Sequence, residues 1–218
     1  MAISQPNVTA ENYLDEDSVD AAPKHGTTVQ AGWGAAAAIL KPKRESGDYP
    51  TDFRFSEKPQ LVRFLENEPF AIYEQHWIDR TEGKRSFVAL GDNDPLTIIA
   101  GSKPRARFAF NVLVLTDEEP TVQIMTVPAS FARQLQQANE DPRRGPLTKY
   151  YWAISRQGTG PSTQYMLDRV RASDLAEEWD LDPENVEAAA ASAVPYDKSV
   201  IYVASYEDHL KLARELVG

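Results

Sequence analysis

The run Arg105–Leu115 (RARFAFNVLVL) constrains the fold more than any other stretch of this 218-residue chain. Two arginines open it, Phe108 and Phe110 fall on one face, and apolar residues fill the rest, so it reads as a strand. Pro69–Asp79 (PFAIYEQHWID) alternates well enough for a strand with one face buried, and Lys84–Leu90 (KRSFVAL) reads as another beyond the turn Thr81-Glu82-Gly83. Thr121–Val127 follows an acidic turn. Tyr150–Arg156 and Thr163–Val170 read as a hairpin across Gln157-Gly158-Thr159-Gly160-Pro161. One helix interrupts these strands, from Pro128-Ala129-Ser130 to about Asn139, with Phe131, Leu135 and Ala138 at helical spacing. Five or six strands with one inserted helix predict a mainly β fold with α additions over residues 50–172, an OB-fold-like, partly closed barrel.

The flanks differ from this middle. Residues 1–49 form an acidic arm and connecting segment: polar and aperiodic to residue 30, then a short helix or packed tryptophan around Trp33, then the basic cluster Lys41-Pro42-Lys43-Arg44. Residues 173–218 form an acidic, partly helical extension. Helical turns are expected at Asp174–Trp179 and Pro183–Ala193, and a further strand at Lys198–Val203. A terminal amphipathic helix at Tyr206–Leu216 would turn Leu210, Ala213 and Leu216 inward. The extension either docks on the barrel or carries a partner site.

The charge follows the same division. The net charge of −10 is the sum of −4 over residues 1–40, +2 over residues 41–171 and −8 over residues 172–218. A weakly basic middle lies between acidic flanks. Those flanks either keep the chain soluble or occupy a cationic groove until a polyanion displaces them. There is no cysteine, which excludes disulfides, thiolate metal sites and thiol nucleophiles. No apolar run approaches the ~20 residues of a membrane span, and the N-terminus has no signal-peptide pattern, so a cytoplasmic protein without membrane contact is expected.

Catalytic chemistry finds no footing. Gly83-Lys84-Arg85-Ser86 lacks the spacing of a phosphate-binding loop, and Gly158-Thr159-Gly160 sits in a hairpin instead of between strand and helix. Neither His25, in the arm, nor His209, beside Asp208 in a helix, is placed near a nucleophile. The expectation is a non-enzymatic protein without a cofactor.

What the middle does contain is cations interleaved with aromatic rings. Tyr73 and Trp77 share one strand, Lys84, Arg85 and Phe87 the next, and Lys103, Arg105 and Arg107 precede Phe108 and Phe110. Arg143, Arg144 and Lys149 then lead into Tyr150, Tyr151, Trp152 and Arg156. Single-stranded nucleic acid needs this pairing, because cations hold phosphates while rings stack on bases. Phosphate contacts are expected from Lys84, Arg85, Lys103, Arg105, Arg107, Arg143, Arg144 and Lys149, and stacking from Tyr73, Trp77, Tyr150 and Trp152. Tyr151 and Trp152 must point to opposite faces, and Phe108 and Phe110 serve a core as readily as a binding face.

The ordered pattern QHW…KRSF…DPL…KPRARFAFNV within Lys58–Leu115, continued by GPLTKYYWAISRQGTGPSTQYML (Gly145–Leu167), resembles the single-stranded DNA-binding proteins of tailed phages, of the T-even helix-destabilising type. The resemblance covers roughly half the chain. It implies an OB-fold, sequence-independent binding of single strands in DNA replication, recombination or repair, and an acidic C-terminal part that meets replication proteins. Such proteins carry a zinc site with a histidine at the position of His76 and cysteines near positions 89, 94 and 97. This chain has Ala89, Asp94 and Thr97 there, too few ligands for a structural zinc, so no metal is expected. The competing expectation is a protein-interaction module that keeps the barrel with weak or no DNA binding.

Overall fold

A computed structural model describes residues 50–117 and 119–218. The expectations for residues 1–49 (arm, short helix and Lys41–Arg44 cluster) lie outside the described residues.

The long strand expected at Arg105 is the spine of the molecule. Strands β1 (Gln60–Phe64), β2 (Ala71–Trp77), β3 (Ser86–Val88) and β4 (Arg105–Val114) are joined by β5 (Thr121–Pro128), β6 (Tyr151–Gln157) and β7 (Gln164–Val170). These seven strands make one antiparallel sheet ordered β3-β2-β4-β1-β6-β7, with β5 pairing along the other edge of β4. Both β1 and β2 lie along one edge of β4, through Val62↔Val114 and Ala71↔Ala109. The sheet does not close on itself. The chain before β1 runs beside β5 instead, where the Phe53 amide donates to the Ile124 carbonyl at 2.9 Å.

Alternation along β4 sorts its side chains onto two faces. Phe110, Val112 and Val114 join Val62, Phe64, Met125, Val127, Trp152 and Ile154 in the main core. Helix α2 (Ala129–Glu140; α1 is the single turn Pro95–Ile98) covers that core with Phe131, Ala132, Leu135 and Ala138, its apolar stripe at helical spacing. Phe108 is half-buried and packs against the same cluster, so both phenylalanines of the run serve the core.

The C-terminal extension, residues 173–218, forms a strap over the opposite face. Helices α3 (Asp174–Glu178) and α4 (Pro183–Ser192) lay Leu175 and Val186 on Leu61, Leu113, Leu115, Tyr151, Ala153 and Val170. Arg63 and the Tyr151 hydroxyl both donate to the Glu187 carboxylate, tying α4 to the sheet. Burial and the bond to Glu187 push the Tyr151 hydroxyl up to about 12. Next along the strap, buried Asn111 clasps the backbone of Tyr196: its side-chain amide donates to the Tyr196 carbonyl and its oxygen accepts from the Tyr196 amide, each at 2.8 Å. Helix α5 (Tyr206–Val217) ends the chain, started by a capping box between Ser205 and Asp208.

Two expectations about this extension are corrected. Lys198–Val200 is a 3-10 turn rather than part of a strand, because Asp197 caps it by accepting from the Ser199 amide. The inward face of α5 is His209, Leu212 and Ala213; Leu210 is half-buried and Leu216 exposed. The cap at Ser205 sets the helical phase, and that phase turns His209 rather than Leu210 toward α1.

Candidate nucleic-acid interface

The spacing of β2 puts Tyr73, Gln75 and Trp77 on one face at every second residue. Their partners on β4 are Arg107 opposite Tyr73 and Arg105 opposite Gln75, while Ser86 on β3 lies opposite Trp77. Two rings and two guanidinium groups therefore share one face at the open end of the sheet. The Arg107 Nε donates to Gln75 Oε1 at 3.2 Å, which aims the guanidinium across the strand pair. Trp77 is 62% exposed, so its ring is not held by the core. Burial is the main cause that raises the Tyr73 hydroxyl above its ordinary value, and Thr126 is its side-chain hydrogen-bond partner.

A cleft of about 340 Å³ opens here between β2, β3 and the end of β5. Beside Tyr73, Trp77 and Arg107, its walls include Phe55, Pro128, Tyr165 and the carboxylate of Asp52. Phe55 meets Tyr165 edge-on at 4.9 Å, and Tyr165 stacks on Phe131 at 4.8 Å. Sequence reasoning missed Phe55 and Tyr165, because they lie far from β2 in the chain and only the fold brings them beside it.

The remaining expected cations fall into separate groups. Lys103, Arg105, Lys84 and Arg85 are exposed, on or just outside β3 and β4. Lys149 and Arg169 lie against the half-buried Tyr150 ring, 5.3 and 4.7 Å from its centroid, and Arg169 also donates to the Arg143 carbonyl. Arg144 approaches Asp141 at 3.9 Å. Tyr150 thus sits in its own cationic cluster on another part of the sheet.

Trp152 is corrected. It is 1% exposed, faces α2 beside Val62 and Ile154, and donates its indole N–H to the Leu147 carbonyl at 2.9 Å. Strand β6 runs between β1 and β7 with both faces covered, so neither Tyr151 nor Trp152 offers a ring to a base.

His76 is a core residue. Its Nε2 lies 3.2 Å from Asp94, and His209 from α5 reaches the same carboxylate through Nδ1 at 3.0 Å; all three side chains are buried. Asp94 also caps α1 and accepts from the amides of Leu90 and Leu96. Burial alone would raise its carboxyl, but the bond from His209 and the two amides outweigh that and hold it below the usual carboxylate range. A tetrahedral metal does not fit these residues. The carboxylate oxygens are already shared among four donors, and among the described residues no set of three or more histidine, cysteine or carboxylate groups is arranged to hold an ion. The histidines and Asp94 instead pin α5 to the α1 loop.

Among the described residues no helix is long and apolar enough to cross a membrane. No family model, curated protein or solved structure matches the chain.

Proposed function

We propose that this chain is a sequence-independent, non-enzymatic single-stranded DNA-binding protein of the phage helix-destabilising kind, built on an OB-type sheet and serving DNA replication, recombination or repair. The observation that carries this reading is the placement of Tyr73 and Trp77 on the same face as Arg107 and Arg105, with Tyr73 directly opposite Arg107 and Arg105 opposite Gln75. Phosphates lie along Arg105, Arg107 and the neighbouring Lys103, Lys84 and Arg85, while bases stack on Trp77 and in the aromatic cleft beside it. Each stack contributes roughly 1–3 kcal/mol whatever the base, which yields affinity without sequence preference. Electrostatics supply the rest, and each phosphate contact adds about −0.7 to the log–log salt slope on a single strand.

A titration of labelled oligothymidine by anisotropy, at low and high salt and against a duplex competitor, tests the reading. Salt-sensitive binding that prefers the single strand is expected. Absence of binding at low salt rejects it in favour of a module that contacts proteins.

A further inference from the structure

The strap that covers Leu113, Asn111 and Ala109 continues along the same face of the sheet. After Tyr196, its Val200 and Ile201 pack into the same small cluster as Ala71, Tyr73 and Ala109, so the strap arrives on the face that presents Tyr73. The next residue, Tyr202, is 65% exposed, and its ring centroid lies 4.5 Å from the Lys84 ammonium. Lys84 itself leads into β3, where Ser86 pairs with Trp77.

We propose that Tyr202 and Lys84 form a further subsite for the same single strand, with the Tyr202 ring stacking on a base and Lys84 holding the adjoining phosphate. This rests on the reading of the open face as a DNA interface, and it makes the acidic strap a part of that interface. Three observations support it. An exposed ring with a cation beside it supplies both things that a single strand requires. The Lys84 ammonium lies against the rings of both Tyr202 and Phe87, and desolvation there lowers it from its ordinary value. Val200 and Ile201, just before Tyr202 in the strap, pack with Tyr73, so the ring is carried on a segment anchored to the same face.

The test compares wild type, Tyr202→Ala, Tyr202→Phe, Lys84→Gln and Trp77→Ala on labelled oligothymidine at one low salt concentration, with thermal melts of each. Tyr202→Ala is expected to bind roughly 5- to 150-fold more weakly, the range that a lost stack gives, at an unchanged melting temperature. Tyr202→Phe keeps wild-type affinity because the ring is retained. Lys84→Gln shallows the salt slope by about 0.7. If Trp77→Ala weakens binding while Tyr202→Ala stays within twofold of wild type, the subsite is rejected and the open-face reading stands. If wild type itself does not bind, both fall, and Tyr202 belongs to a protein-docking surface.

Discussion

Two stretches of one face of β4 lie a few residues apart and have opposite fates. At Ala109, Asn111 and Leu113 the strap covers the strand, and all three are buried. At Arg107 and Arg105 the cover stops, and the side chains become half-buried and then exposed. A strand that is apolar for its whole length needs cover for its whole length. Placing two arginines at the start of β4 leaves that end open, with half-buried Tyr73 at the rim of the cover and exposed Trp77 on β2 beyond it. The covered stretch specifies the fold, and the open stretch leaves cations beside an exposed ring.

The largest effect expected from breaking this contrast is removal of the strap. A chain ending at Ser173 uncovers Leu61, Leu113, Tyr151 and Val170 and leaves Asn111 without the Tyr196 backbone. Loss of the cooperative thermal transition is expected. A truncated protein that folds and binds DNA more tightly would show instead that the extension is a displaceable competitor.

The two tryptophans sharpen the contrast at single residues. Trp152→Ala removes a buried side chain and its bond to Leu147, and should cost about 3–5 kcal/mol in denaturant unfolding. Trp77→Ala should change stability by less than about 0.5 kcal/mol, as exposed positions do, while weakening oligothymidine binding several-fold. Equal stability losses in the two variants would contradict the assignment of one ring to the core and the other to the interface.

A smaller effect concerns the Asp94 pin. Its folded pKa lies below the unfolded value of about 3.9, so its stabilisation is complete above that pH and disappears as pH falls through the folded pKa. Asp94→Asn leaves buried amides and imidazole N–H groups poorly matched and should cost about 1–3 kcal/mol at neutral pH. Urea titrations from pH 7 to pH 2 should show the gap to wild type closing below about pH 4. A gap independent of pH would mean that the carboxylate charge is not what holds α5.

Much of the sheet was legible because period-two alternation depends only on neighbours in the chain. The β4 run, the β6–β7 hairpin and the stripe of α2 all declared themselves in this way. Alternation also placed Tyr151 and Trp152 on opposite faces. It does not say whether a face is covered, and in β6 both are, which is why Trp152 was misread as a stacking residue. The docking of the strap was illegible for a related reason. Asn111 and Tyr196 are 85 residues apart, as His209 and Asp94 are 115, and no local pattern reports such pairings. Alternation along clearly periodic strands is also what brings Tyr73, Trp77, Arg105 and Arg107 of the candidate site onto one face. Phe55, Tyr165 and Tyr202 carry no such signal, since their place beside those strands depends on tertiary packing.

If the open face binds DNA as proposed, the uncovered arginines of β4 hold phosphate. The salt dependence of oligothymidine affinity for wild type and for the double variant Arg105→Ala/Arg107→Ala tests it most directly. A slope shallower by about 1.4 is expected, from two lost contacts of about 0.7 each, with the melting temperature preserved. An unchanged slope in a folded double variant would contradict it.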